Sequence, residues 1–237
     1  MKPGSVNMKT YHIHISGLVQ GVGFRPYVFR KAIEAGLKGL VFNSKDGVHI
    51  EINAGENDAR SFYNNIIQSP PANAIITSHT FRQSLQKEYV NFTITTGEDN
   101  TQPDLLIPPD YAVCTDCRNE ITDKINRRHL YPFTTCLHCG PRYSIIRQLP
   151  YERINTSMKA MTMCSDCSNE YGDVLDRRHY SQTNSCNSCA IQMHLYDSSR
   201  NELSNEPAEI FNRLQTALLA GSIVAVKGIG GYLLLCD

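Results

Sequence analysis

Eight of the nine cysteines in this 237-residue chain form two copies of one pattern. In each copy a Cys-x2-Cys pair is followed, eighteen residues later, by a second Cys-x2-Cys pair, and the second copy lies fifty positions after the first. A Cys-x2-Cys pair on a tight turn points two thiolates at one centre, and two such pairs complete a tetrahedral metal site. The pattern predicts two zinc ions, with disulfides or an iron–sulfur cluster as alternatives, on the ligands Cys114, Cys117, Cys136, Cys139, Cys164, Cys167, Cys186 and Cys189.

Four thiolates fill the coordination shell of zinc, so both sites are predicted to be structural. Sequential pairing within each copy is favoured because each eighteen-residue loop repeats as a unit, and interleaved pairing is the alternative. The repeat also carries an Arg-Arg-His run, which ends at His129 and again at His179. These cations are expected to screen the thiolate charge or to donate hydrogen bonds to it, although either histidine could instead replace a cysteine.

A second chemical signal is the glycine-rich segment 16–26, which contains Gly17, Gly21 and Gly23 and runs into a helix start at Pro26. Glycines let backbone N–H groups turn inward, and a helix N-terminus attracts anions, so the segment predicts a cradle for a phosphate-sized group. Arg25 adds a planar double donor. The segment lacks the Gly-Lys-Ser/Thr of a nucleotide P-loop, and an ordinary glycine-rich turn is the alternative.

The elements around this segment follow a βαββαβ order, the ferredoxin-like arrangement. The helices are predicted from apolar spacing and Pro or Gly boundaries, and the strands from alternation around a Lys-Asp-Gly hairpin turn. In chain order the predicted elements are strand 11–16, helix 26–36, strands 40–43 and 48–52, helix 56–68, and strands 74–81 and 91–95.

The predicted fold class is therefore α+β with several domains: a ferredoxin-like domain at 8–97 and a tandem four-cysteine module at 110–190, with fingers at 114–139 and 164–189. A polar linker at 98–110 should isolate the first domain, so that stripping the metal would leave it unaffected. After a second linker at 196–206, a helix at 207–219 leads to two strands around a glycine turn. These strands lack covering elements, which indicates the front part of a longer protein.

The segment Gly-x-Val-Gln-Gly-Val-x-Phe-Arg, followed by the stretch around Asn43, resembles the acylphosphatase family over about ninety residues. The resemblance implies that Asn43 positions the attacking water. It also implies a phosphoryl site made of Arg25 and the backbone amides of Gln20, Gly21, Val22, Gly23, Phe24 and Arg25 itself. Fixed donors around a metaphosphate-like charge can supply this chemistry without a metal or a protein nucleophile.

The whole order of motifs resembles the hydrogenase maturation carbamoyltransferases, the HypF family. The matching motifs are Ile-Pro-Pro-Asp at 107–110, the motif beginning Tyr-Glu-Arg at 151–153, and a tail at 221–237 that resembles the start of a YrdC-like nucleotide domain. The resemblance implies that carbamoyl phosphate is cleaved at the acylphosphatase site. In the full-length protein, ATP would then form carbamoyl adenylate, and the carbamoyl group would pass to the C-terminal cysteine of HypE. Lys227 could touch substrate or simply end a strand.

Composition and charge narrow the possible locations and binding partners of the protein. The formal charge is zero, no apolar run reaches the about 18 residues of a membrane span, and the N-terminus lacks an apolar signal core, so a cytoplasmic protein is expected. Segment 114–189 has ten basic and eight acidic residues, and eight thiolates with two zinc ions make the loaded module slightly negative. This argues against nucleic-acid binding. A stand-alone acylphosphatase whose zinc module binds a protein, a peptide or nucleic acid is the alternative function.

Overall fold

The computed structural model describes residues 8–97 and 102–237. Residues 1–7, where the sequence lacks a signal core, and residues 98–101 of the predicted linker lie outside the described residues. The first unit contains strands β1 (Lys9–Leu18), β2 (Lys38–Ser44), β3 (Gly47–Ala54), β4 (Ile75–Gln83) and β5 (Phe92–Thr96), with helices α1 (Phe24–Glu34) and α2 (Glu56–Gln68). The ferredoxin-like arrangement is confirmed, and the prediction for α2 matches both ends.

These strands form one sheet in the order β4-β1-β3-β2-β5, in which only β5 runs parallel to its neighbour β2. Alternate residues of β1 point to opposite faces. Ile13 and Ile15 are fully buried beneath the helices, whereas His12 and His14 lie on the other face beside His49 of β3. The core of this unit therefore lies between the sheet and the two helices α1 and α2. It holds in place the loop between β1 and α1 and the end of β2.

The tandem four-cysteine module contains two short matching helices, α3 (Thr115–Thr122) and α4 (Ser165–Gly172), each beginning directly after the first cysteine of its copy. The segment between the two copies adds three short 3-10 turns and a small core of Ile145, Tyr151 and Met158. Regular structure is sparse here, so the module relies on its cysteine clusters and on polar contacts rather than on a large apolar core.

The C-terminal part begins with a two-stranded ribbon, β6 (Leu195–Tyr196) and β7 (Glu202–Ser204), within the predicted second linker. Helix α5 (Pro207–Leu219) matches its predicted bounds, and the predicted strand pair is β8 (Val224–Lys227) with β9 (Tyr232–Leu235). The side chains of β9 are exposed. Among residues 8–97 and 102–237, none of the helices has the length and apolar character that crossing a membrane requires.

Candidate functional site: a glycine loop closed by the cysteine module

The glycine-rich loop connects β1 to α1 and places its backbone at the helix N-terminus. Gly21 and Gly23 have φ angles of 71° and 78°, a left-handed conformation that glycine adopts readily and that lets the loop turn sharply into Phe24. The side chains of Val22 and Phe24 are buried in the core. At these two positions the side chains are therefore not available to a ligand, and any contact with the predicted anion would come from the backbone N–H groups.

Gln20 holds this loop by its side-chain amide. Its Nε2 donates to the carbonyls of Ser44 and Gly47, at 2.6 and 2.8 Å, and so ties the loop to the β2–β3 hairpin. Its Oε1 accepts from the backbone N–H of Tyr151 at 2.8 Å. The buried Gln20 side chain therefore links the glycine loop to the β2–β3 hairpin and to the segment at Tyr151. Its hydrogen-bond partners in all these contacts are backbone groups.

Arg25 and Asn43, the two predicted catalytic residues, meet around one carbonyl. Asn43 Nδ2 donates to the backbone oxygen of Tyr151 at 3.1 Å, and Arg25 Nη2 lies 3.5 Å from the same oxygen. Both side chains are buried. Asn43 Oδ1 is also buried and has no hydrogen-bond partner among the described residues, which leaves it able to accept from a water or a substrate.

The guanidinium of Arg25 is engaged by a carboxylate from the cysteine module. Its Nη1 and Nη2 donate to Oε1 and Oε2 of Glu152, the second of these at 3.1 Å, so the pair has the two-pronged geometry typical of arginine and carboxylate. Both side chains are largely buried, at 6% and 11% exposure. The same prongs are those that a phosphoryl group would require.

The remaining space in this site is small. The cavity between the glycine loop and the cysteine module has a volume of about 20 Å³, room for about one water molecule, and Arg142 lines it. Arg142 Nε donates to the carbonyl of Gly21 at 2.5 Å, while its Nη atoms donate to carbonyls of the first finger. The Glu152 side chain must therefore leave Arg25 before an acyl phosphate can bind there.

Arg142, Tyr151 and Glu152 were not among the predicted site residues. They lie in the segment between the two cysteine copies. Arg142 and Tyr151 do not recur fifty positions away, and Glu202, fifty positions after Glu152, lies beyond the second copy. That break in the repeat is a signal in the sequence, but it does not reveal a partner more than 120 residues away. The expectation that a linker isolates the first domain is wrong in this respect, because the cysteine module closes the pocket.

The eight predicted cysteine ligands form two clusters, one from each copy, so the structure shows sequential pairing. Neighbouring sulfurs are 3.5–3.8 Å apart in the first cluster and 3.6–3.7 Å apart in the second. A tetrahedron with metal–sulfur bonds of about 2.3 Å has edges of about 3.8 Å, so both clusters fit a metal ion. All eight are free thiols without disulfide bonds.

The arginines near each cluster come from the other copy. Arg127, of the first copy, donates to Cys167 Sγ at 3.3 Å, and Arg177, of the second, donates to Cys117 Sγ at the same distance. The next arginine of each copy also crosses over: Arg128 pairs with Glu170 of the second copy and Arg178 with Glu120 of the first. The arginines of each finger therefore stabilise the thiolates of the other finger. The sequence predicts that these arginines lie near a thiolate centre, but it does not predict that the centre belongs to the other copy.

The repeated histidines are not ligands of either cluster. His179 is buried edge-on against Phe29 of α1 and Tyr180, so it packs between the cysteine module and the first unit. Burial and the nearby Arg30 lower the pKa of His179, which favours its neutral form there. The backbone carbonyl of His129 accepts a hydrogen bond from Asn187, a further contact between the copies.

Comparisons with known proteins agree with this geometry. The acylphosphatase family model matches residues 11–94, and the HypF finger model matches residues 113–146 and 163–196. An acylphosphatase from Thermotoga maritima is 41% identical over 88 residues, which cover 97% of that protein. The class defined by fold and site is therefore an acylphosphatase domain closed by a pair of four-cysteine fingers.

Longer proteins combine the same parts. The carbamoyltransferase HypF of Synechocystis is 44% identical over 97% of this chain, and a probable carbamoyltransferase HypF of Methanocaldococcus jannaschii is 44% identical over 98% of it. A solved structure of full-length HypF in a phosphate- and nucleotide-bound form superposes with a TM-score of 0.88 at 38% identity, over 99% of this chain. The chain belongs to the HypF family. It spans about 30% of the length of these relatives.

Proposed function

We propose that this chain hydrolyses carbamoyl phosphate at the glycine loop, with Arg25 and the backbone amides of residues 20–25 binding the phosphoryl group and Asn43 positioning water. The observation that carries the proposal is the meeting of Arg25 and Asn43 around one buried carbonyl at a helix N-terminus. A fixed double donor, a buried amide and a helix N-terminus form a site for a group with developing negative charge.

The reaction needs no protein nucleophile. A water held by Asn43 attacks phosphorus, the bond from phosphorus to the acyl oxygen breaks, carbamate leaves with the bonding electrons, and the proton of the water passes to the phosphate. Arg25 and the loop amides stabilise the charge on the equatorial oxygens in the loose transition state. Because an acyl phosphate has a good leaving group, the site requires no strong base.

The test is phosphate release from carbamoyl phosphate by the purified chain. The Arg25→Ala variant should lose about a hundredfold or more in rate, because its charge and both prongs disappear from the transition state. Arg60→Ala is the matched control, since Arg60 lies exposed on α2 and pairs only with Glu56 among its described ion pairs. Full activity in Arg25→Ala would contradict the proposal.

We also propose that the metal in both clusters is zinc and that its role is structural. Four thiolates in tetrahedral contact leave no open coordination position, and the sparse regular structure of the module gives metal binding a folding role. Metal analysis of the reduced protein should find two zinc ions per chain. The corresponding domain bounds are 8–97 for the acylphosphatase unit, 110–190 for the fingers and 205–237 for the YrdC-like segment.

For the longer protein, we propose the remaining steps of the carbamoyltransferase route: carbamate reacts with ATP to give carbamoyl adenylate, and the carbamoyl group passes to HypE in the cytoplasm. The names of the matched relatives, which are carbamoyltransferases, support this assignment. The β8–β9 strand pair, in which the β9 side chains are exposed, would belong to the nucleotide domain. Addition of ATP and HypE to a full-length protein should yield a carbamoylated cysteine on HypE.

A further inference from the structure

We propose that Glu152 determines the substrate specificity of the acylphosphatase site, by accepting a hydrogen bond from the amino group of carbamoyl phosphate. The inference rests on the proposed function and assigns a role to a residue of the cysteine module. Its basis is an exchange of partners: the carboxylate that now holds Arg25 must find a new donor once a phosphoryl group takes its place.

The structure shows the first half of this exchange. Arg25 presents both Nη atoms to the carboxylate of Glu152, and these are the donors that a phosphoryl group needs. A phosphoryl group and the carboxylate therefore compete for one guanidinium. Binding of substrate displaces Glu152 from at least one of the two prongs.

The displaced carboxylate stays close to the substrate because its backbone is fixed. The N–H of Tyr151 donates to Gln20, and the carbonyl of Tyr151 accepts from Asn43. On the other side, the N–H of Arg153 donates to Gln182 Oε1 at 2.7 Å, and its guanidinium is held by carbonyls of the second finger and of Met161. The segment on both sides of Glu152 is thus anchored, and the Glu152 side chain has only its own rotamers with which to move.

A buried carboxylate without a donor costs much more free energy than one that is paired. The carbamoyl group carries an –NH2 beside the acyl carbon, and this group can donate to the released carboxylate. The methyl group of acetyl phosphate cannot, so binding of acetyl phosphate leaves Glu152 unpaired. Sites built around a substrate N–H or O–H reject analogues that lack it far more strongly than apolar pockets reject a change of size. Glu152 would therefore select carbamoyl phosphate mainly by penalising other acyl phosphates.

The experiment measures kcat/KM for carbamoyl phosphate and for acetyl phosphate in wild-type protein, Glu152→Gln and Glu152→Ala. The wild type should prefer carbamoyl phosphate by about a hundredfold or more. Glu152→Ala should lower that ratio at least about tenfold, with acetyl phosphate hydrolysis rising, since the charge that penalised it is gone. Glu152→Gln should lie between the two, because its amide oxygen still accepts a hydrogen bond without carrying a charge.

Inorganic phosphate provides a second readout that a merely structural role of Glu152 would not improve. Glu152→Gln should bind phosphate more tightly than wild type, seen as a lower inhibition constant, because the neutral amide competes less well for Arg25. Asn73→Ala is the matched control: it removes a hydrogen bond from the first unit to the His138 carbonyl of the cysteine module without touching the pocket. The selectivity of this control should equal that of the wild type.

Two failures can be told apart. If the wild type hydrolyses acyl phosphates and Arg25→Ala abolishes this, but the ratio is the same in wild type and both Glu152 variants, the specificity role is overturned and the proposed function stands. If the wild type hydrolyses neither compound, both are overturned. Circular dichroism and zinc content of each variant establish that the compared proteins are folded.

Discussion

Single buried polar groups decide what the pocket can do. Gln20, Arg25 and Asn43 are each held by partners from outside the glycine loop, and two of those partners belong to one dipeptide, Tyr151-Glu152. A buried polar group is costly unless it is paired, so these contacts place the side chains within a narrow range of positions. Pre-positioned donors of this kind are what a charged transition state requires.

Asn43→Ala tests the water-positioning role. The variant should lower kcat for carbamoyl phosphate by about a hundredfold with KM little changed, because the amide acts on the attacking water while Arg25 retains the phosphoryl group. Steady-state kinetics of phosphate release measure both constants. Asn64→Ala, on the exposed side of α2, is the control. A rise in KM at unchanged kcat would instead assign Asn43 to substrate binding.

His12 should make the stability of the sheet depend on pH. Burial, then the neighbouring His49 and Arg82, lower its pKa from 6.5 to about 4, and Glu51 and His14 act in opposite directions on it. The unfolded chain takes up a proton below about pH 6.5 while the folded chain does not, so stability present at pH 7 is lost as pH falls towards 4. The expected loss at pH 5 is about 1–2 kcal/mol.

Native-state hydrogen exchange of the β1 amides at pH 7 and pH 5 measures this loss. His12→Gln is the comparison, because glutamine cannot take up the proton yet can still bond to His49. The variant should lose less protection than the wild type over the same interval. Equal losses in the two proteins would assign the pH dependence to other groups, such as Asp46 or His49, whose pKa values are also lowered.

At the scale of the helices, the two fingers depend on each other because the arginines of each finger contact the cysteine cluster of the other. Each Arg-Arg pair follows its own helix, α3 or α4, but contacts the cluster and the helix of the other copy. A four-thiolate zinc centre carries a net charge of minus two, and N–H donors to sulfur reduce its cost. Neither finger can form its complete surroundings alone, so the pair is expected to fold as a unit.

Arg127→Ala should therefore weaken metal binding in the second cluster, although Arg127 belongs to the first copy. The expected loss is about tenfold or more in affinity, typical of removing a hydrogen bond to a ligand atom. Arg177→Ala should have the converse effect on the first cluster. Cadmium-113 NMR of the substituted protein, with chelator added stepwise, reports the two sites separately. If either variant instead lost metal first from the cluster of its own copy, the assignment of these arginines to the other copy's cluster would be contradicted.

For the whole molecule, the main question is how the two units depend on each other. The buried apolar core of the first unit draws all its members from residues 11–92, with Tyr111 packed against it from outside. We therefore expect its fold not to need the fingers. Its pocket does, because the cysteine module supplies Arg142, Tyr151 and Glu152.

A fragment of residues 8–97 should fold cooperatively and hydrolyse acyl phosphates, but without the preference for carbamoyl phosphate that Glu152 confers. About ninety residues suffice for a small stable domain, and stand-alone acylphosphatases of similar length are 41% identical to this region. Thermal unfolding and the kcat/KM ratio measure the two properties. Strong chelation of the intact chain should relax selectivity in the same way. A fragment that folds and keeps full selectivity would show that the fingers are passive.

The features that the sequence by itself determined depend on residues close together along the chain. The cysteine clusters follow from short spacings that repeat, the bounds of α2 and α5 from prolines and apolar periodicity, and the β2–β3 hairpin from a turn motif. The roles of Arg25 and Asn43 follow from a motif shared with acylphosphatases and stay predictions. Each of these inferences needs only neighbours along the chain or a known motif.

The tertiary structure decided which distant groups meet. Glu152 reaches Arg25 across 127 positions, and Arg127 reaches Cys167 across 40, in segments where no spacing or periodicity encodes the pairing. A charged residue in the sequence has many possible partners, and its choice depends on how the units pack and on which buried charges can be compensated. The closing of the acylphosphatase pocket by a carboxylate of the cysteine module is such a choice, because only the packed chain leaves Glu152 and Arg25 buried against each other.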